Sequence, residues 1–329
     1  MKPRWLTVAL ATGMLAAVHD AHAQAYPSQP VRVIVPFARG DGADGIARLV
    51  MERAGVLLGT AVTFDNRPGA SGLSGVQTAA RAKPDGHTVL VGDRAQALGT
   101  AAQAGSSPAA LQPVANVAAL AAMLVARPSG PSDPVRRFPA HAQARPKAVV
   151  VASSGLGPLQ QRADALLHQV TGPDVALIPY RSTGTALGDL LAGHVDMALG
   201  TAPSFMPLVR EGRLEVLGVA SAVQLPALPG VPAIAKSLPG FELSLQLALF
   251  APAGTPTAIV EKLNAAVMRA LSDPQLRSRL GAEGAIVEVQ GPMPSPVQKA
   301  QFGPCPEPQR WFAVRQAAKS TRLCSSVGG

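Results

Sequence analysis

The chain has 329 residues, of which 47% are hydrophobic, 15% charged and only 4% aromatic. It can bury a sizeable core, and so few stacking side chains argue against single-stranded nucleic-acid binding, which uses aromatic platforms. The formal net charge is +9, but the positive residues are scattered rather than clustered, which fits solvated surface and anionic small molecules better than nucleic acid.

The first residues read as an export signal. Lys2 and Arg4 form a basic start, Leu6–Val18 an apolar stretch and Ala21-His22-Ala23 a small-x-small cleavage site. The apolar stretch falls short of the roughly 20 residues needed to span a bilayer. Residues 1–23 are therefore expected to be a signal peptide, cleaved after Ala23, and the mature chain to be a soluble exported protein. The roughly 300 residues that remain suggest two domains.

After the leader, β-branched runs alternate with helical patterns. VRVIV (Val31–Val35) reads as a buried strand, followed by a helix around Ile46–Leu58. AVTFDN (Ala61–Asn66) is a second strand, Gly72–Ala82 a short helix, HTVLVG (His87–Gly92) a third strand, and Pro113–Ala126 contains another. This βαβαβ order predicts a parallel sheet with crossover helices. A Pro- and Arg-rich connection, Arg127–Lys147, separates a second series. It comprises AVVVAS, a helix at Leu159–Val170, VALIPY, a helix at Gly184–Ala192, VDMALG and LEVLGVA. LSLQLALFAP (Leu243–Pro252) is a later strand and Pro256–Leu271 an amphipathic helix. From Gly291 onward clustered prolines forbid a long helix, and both cysteines, Cys305 and Cys324, lie there. Residues 291–329 are expected to be an atypical tail, disordered or out of frame.

Open α/β sheets bind ligands beyond the carboxyl ends of their strands. After the first strand, PFARGDGAD leads through Gly40, Gly42 and Gly45 into a helix, an arrangement suited to anions because helix N-terminal amides and the helix dipole face the loop. NRPGASGLSG (Asn66–Gly75), Ser154-Gly155-Leu156-Gly157-Pro158 and Arg181-Ser182-Thr183-Gly184-Thr185-Ala186 follow other strands. Their amides and hydroxyls suit carboxylates, although Gly, Ser and Thr are also ordinary turn residues. Gly40–Gly45 also satisfies G-x-G-x-x-G, with Asp65 about 20 residues further on, the pattern of a dinucleotide site. Pro36–Arg39 intervene before the first glycine, however, and Asp41 and Asp44 would set negative charge beside a pyrophosphate. A dinucleotide-dependent oxidoreductase stays as the lesser alternative. No G-x-S-x-G, H-E-x-x-H or G-x-x-x-x-G-K motif is present, and two cysteines with dispersed histidines make no metal site. No enzyme activity, cofactor or metal is expected.

The segments YPSQPVRVIVPFARGDGAD, FDNRPGASGLSG, AKPDGHTVLVG, LQPVANVA, VVASSGLG, IPYRSTGTALGDLLAGHVDMALG, LPALPGVPAIAKSLPGFE and LFAPAGTPTAIVEKLN run collinearly from Tyr26 to Asn264. In these the chain resembles the Bug-type extracytoplasmic solute receptors, the substrate-binding components of tripartite tricarboxylate transporters. The resemblance implies a type II periplasmic-binding-protein fold, in which two α/β lobes close on a ligand between them. Residues 24–125 with about 246–290 would form one lobe and 126–245 the other. It further implies a small organic carboxylate as ligand, membrane permease subunits as partners and a monomeric receptor; an orphan ligand sensor for a signalling partner is the alternative within binding proteins. The ligand-binding residues carried over are Phe37, Ala38, Gly40 and Asp44 from the first lobe. From the second they are Ser154, Gly157, Pro158, Thr183, Thr185, Ala186, Asp196 and Thr201. The chain departs from the family where Gly40-Asp41 replaces a Gly-Gly pair, where Pro158 and Gln161 replace Ser and His, and where Arg181-Ser182 replaces Lys-Gly.

Overall fold

A computed structural model describes residues 26–103, 111–128, 149–154, 175–221, 224–231 and 242–287, with a few further positions at 159–168 and 233–234. The expected signal peptide, the connection from 129 to 148 and the tail from 291 lie outside the described residues, as do Gly157 and Pro158.

The first sheet begins where expected. In β1 (Val31–Val35) the four valine and isoleucine side chains are buried and only Arg32 is exposed, the pattern of a strand covered on both faces. β2 (Val62–Asn66) and β3 (Thr88–Asp93) flank it, both parallel. Helix α1 (Gly42–Leu58) follows β1 and buries Ile46, Ala47, Val50, Met51 and Ala54, positions three and four apart that form one helical face. Short helix α2 (Leu73–Ala80) follows β2, and α3 (Arg94–Gln103) follows β3 directly. The sequence reading leaves α3 out. Asp93 helps start it by accepting a 2.9 Å hydrogen bond from the Gln96 amide.

β4 (Leu111–Ala126) is sixteen residues long and serves both parts of the molecule. Its first stretch pairs antiparallel with β9 (Ser244–Pro252) and the short β10 (Ala285–Ile286), while residues 122–126 pair antiparallel with β7 (Met197–Thr201) on one side and β8 (Glu215–Ala220) on the other. The strand order is β2-β1-β3-β9-β4-β7-β5-β6, with β5 (Val150–Ser153) and β6 (Ala176–Pro179) parallel to each other. The parallel sheet expected from the βαβαβ order holds for β2-β1-β3, and beyond β3 the sheet turns antiparallel. β9 returns from far along the chain and inserts between β3 and β4, antiparallel to both. A local pattern of strands and helices cannot announce a strand that arrives from more than a hundred residues away.

Four further helices cover the second part and the return. α4 (Thr183–Ala192) is capped by Ser182, whose hydroxyl accepts from the Thr185 amide. α5 (Ala202–Arg210) contains Pro203 and Pro207, which argue against a helix in the sequence; Pro203 sits in the first turn, where a missing N–H costs nothing. α6 (Thr257–Leu271) buries Leu263, Ala266, Val267, Ala270 and Leu271 against α1 and the first sheet. α7 (Pro274–Ala282) starts on Asp273, which accepts from the Gln275 amide at 2.9 Å. Successive residues of β4 feed opposite faces of the second sheet: Ala121, Met123 and Val125 join one core, Ala122, Leu124 and Ala126 the other. The architecture is α/β with two sheet-centred halves and a cleft between them, the type II arrangement.

Candidate functional site

The cleft has a volume of about 620 Å³ and lies at the carboxyl ends of three strands. Beyond β1 stand Pro36, Phe37, Ala38 and Asp41; beyond β2 stand Pro68, Gly69, Ala70 and Ser71; beyond β6, from the other half, stand Pro179, Tyr180 and Arg181. Its walls are mostly apolar with a few polar groups, the usual composition of a small-molecule site.

The first half shapes its wall with an unusual turn. Ala70 and Ser71 both have positive φ (52° and 54°), a conformation uncommon outside glycine that concentrates at ligand-binding positions. Gly72 follows at φ 92°, and a Cβ there would lie 2.9 Å from the Pro36 carbonyl oxygen, so only glycine fits. The amides of Gly72, Leu73, Ser74 and Gly75 are used within the turn. Those of Ala70 and Ser71 have no partner among the described residues and stand at the cleft wall. Arg181, across from them, is the one cation among the described lining residues. Tyr180 beside it is fixed by a 2.6 Å hydrogen bond from its hydroxyl to Asp189.

The glycine loop expected to offer free amides is largely occupied by the chain itself. The Gly40 amide donates to Asp44 Oδ2 at 3.0 Å, and the Gly42 amide to Ser204 Oγ at 3.0 Å. Asp44 is 1% exposed; it also accepts from Arg48 Nε (2.9 Å) and Asn66 Nδ2 (2.8 Å). It thus braces the loop from beneath. Asn66 completes the brace by donating to the Phe37 carbonyl at 3.0 Å. Asp41, 5% exposed, accepts a 3.0 Å hydrogen bond at Oδ1 from the Thr183 amide of the opposite half. Burial pushes its carboxyl above the ordinary carboxylate range, hydrogen bonding from Thr183 acts against that rise, and the charge of Asp44 adds to it.

Of the residues carried over by resemblance, Phe37 and Ala38 line the cleft, and Thr183 meets the Asp41 that lines it. Gly40 lines a second hollow of about 360 Å³, which Asp41 also lines. Ser154 is 1% exposed; its amide donates to the Leu199 carbonyl at 3.0 Å and its hydroxyl is buried without a partner among the described residues. Thr185 is exposed and turned to Ser182, Ala186 is buried in the core under α4, and Asp196 accepts from the Val150 amide at 2.8 Å. Thr201 is bonded to Ser204 at 3.0 Å. Arg181 opens the Arg181–Ala186 loop that the resemblance assigns to the ligand, whereas Asp41, Ala70, Ser71 and Tyr180 are absent from the residues carried over, although they lie in or beside the loops at strand ends. Asp65, the acidic residue of the dinucleotide pattern, is held between Arg32 and Arg67. Burial would raise its carboxyl, but those two guanidinium groups hold it below the ordinary range.

Two sheet-centred halves facing a cleft at their strand ends define a solute-binding protein of the periplasmic type. Residues 46–301 match TctC, the tripartite tricarboxylate transporter family receptor, and the chain belongs to that family. Among its relatives, the protein BugT of Bordetella pertussis is 30% identical over 311 residues, covering 93% of each chain. Among solved structures, MatC of Rhodopseudomonas palustris with bound malate is 35% identical, with a TM-score of 0.68 over 80% of this chain and 91% of that one. An R. palustris protein with adipate is 26% identical, with a TM-score of 0.70 over 91% of this chain and 97% of that one. The family match reaches residue 301, beyond the point at which the collinear motifs end. Among the described residues no helix is long and apolar enough to cross a membrane.

Proposed function

We propose that this protein captures a small organic carboxylate in the cleft between its halves, in the periplasm, and presents it to the membrane permease of a tripartite transporter without transforming it. The observation that carries this reading is the cleft wall itself: one guanidinium, Arg181, lines it together with the turn where the Ala70 and Ser71 amides have no partner among the described residues. A charge and two directional donors suit a carboxylate, and apolar neighbours (Phe37, Ala38, Pro68, Pro179) suit the carbon chain it ends. Malate and adipate, held by two solved relatives, are carboxylates of this size. The halves share β4 and meet again where β9 begins, so a ligand touching both would favour closure about those strands.

A thermal-shift screen against organic acids and amino acids tests the reading. A true ligand at about 100 times its Kd adds about 2.7 kcal/mol of stability. Arg181→Ala should weaken the best ligand by about tenfold or more, since a hydrogen bond to a charged group is worth about 1.5–3 kcal/mol. A cooperative protein that no carboxylate stabilises, or an Arg181→Ala variant with unchanged affinity, would count against this assignment.

A further inference from the structure

The carboxylate of Asp41 occupies a place where a ligand anion would otherwise be expected. It comes from the first half, lines the cleft, and reaches across to the N-terminus of α4 in the second half, where it accepts from the Thr183 amide at 3.0 Å. A helix N-terminus carries partial positive charge and free amides, so it attracts one anion. Here that anion belongs to the protein. The residue is 5% exposed, so water screens its charge poorly. Thr183 itself is 3% exposed, so both partners of this bond are buried.

We propose that Asp41 determines specificity by standing in for one ligand carboxylate, so that the cleft takes a ligand with a single carboxylate and an uncharged or ammonium far end. Among the described lining residues the formal charges are one positive, Arg181, and one negative, Asp41. A single carboxylate pairs with Arg181 and with the Ala70 and Ser71 amides. The far end then meets Asp41, which accepts a hydrogen bond from an amide, a hydroxyl or an ammonium group. A second ligand carboxylate would face a buried like charge with the Thr183 amide already taken, and two carboxylates sharing one site disfavour one another. The inference rests on the carboxylate reading above and narrows it.

Probes of equal length separate the two. The full-length protein is titrated calorimetrically with adipate, hexanoate and 6-aminohexanoate, and with succinate, butyrate and 4-aminobutyrate. The expected result is at least tenfold tighter binding of a single-carboxylate probe than of the diacid of the same length. Asp41→Asn keeps the side chain's shape and removes its charge; Asp41→Gly clears the position. Both should gain at least tenfold in diacid affinity relative to the matching monoacid. A native protein that prefers the diacid, or a folded Asp41→Asn variant with the native ratio, overturns the role of Asp41 while leaving carboxylate capture intact. Binding of no probe by the native protein or by either variant overturns both readings together.

Discussion

At Gly42 the two halves touch. Its amide donates to Ser204 Oγ, and a Cβ added there would lie 2.5 Å from the Ser204 amide nitrogen, a backbone atom that cannot swing aside. With the Asp41–Thr183 bond one residue earlier, it closes a seam below the cleft. Gly42→Ala should therefore destabilise the protein by about 1–3 kcal/mol, the usual cost of forcing an extra methyl into filled space. A urea midpoint equal to that of the native protein would mean that the halves stand apart in solution and the seam does not bear on stability.

At the scale of elements, β4 joins what the cleft divides. Its early residues Val114, Val117 and Leu120 belong to the core of the first half, and Met123 and Val125 to a core of the second. Pro113 is tolerated near its start, where the pairing with β9 shifts register between Pro113 and Ala115, because a bulge spares the ladder a donor that proline lacks. Met123 is fully buried, so Met123→Ala should cost about 2–5 kcal/mol. Because the strand is common to both sheets, unfolding should stay a single transition by fluorescence and by circular dichroism. Two separated transitions would show the halves to be independent folding units.

For the molecule as a whole, the seam and the shared strands set opposite tendencies: bonds across the cleft hold the halves together, and few strands restrain them from turning apart. A bound carboxylate adds contacts on both sides and should shift the population toward the compact form. Small-angle scattering should then report a smaller radius of gyration with ligand than without it. An unchanged radius at saturating ligand would mean that binding occurs within an already closed cleft.

By itself the sequence determined the buried strands, the amphipathic α1 and α6, and the glycine-rich loops at strand ends, because period and turn chemistry are local. Its collinear motifs also carried the family resemblance. It did not reveal α5, which holds Pro203 in its first turn and Pro207 within it, nor the antiparallel insertion of β9, which depends on a distant segment. Asp44 illustrates the same limit: its place at a helix start was legible, but its bonds to Gly40, Arg48 and Asn66 were not. Only the tertiary structure decided that Asp41 reaches Thr183, 142 positions along the chain. The sequence could mark Asp41 as an acid in a loop suited to anions; which helix N-terminus it would occupy was fixed by the packing of one half against the other.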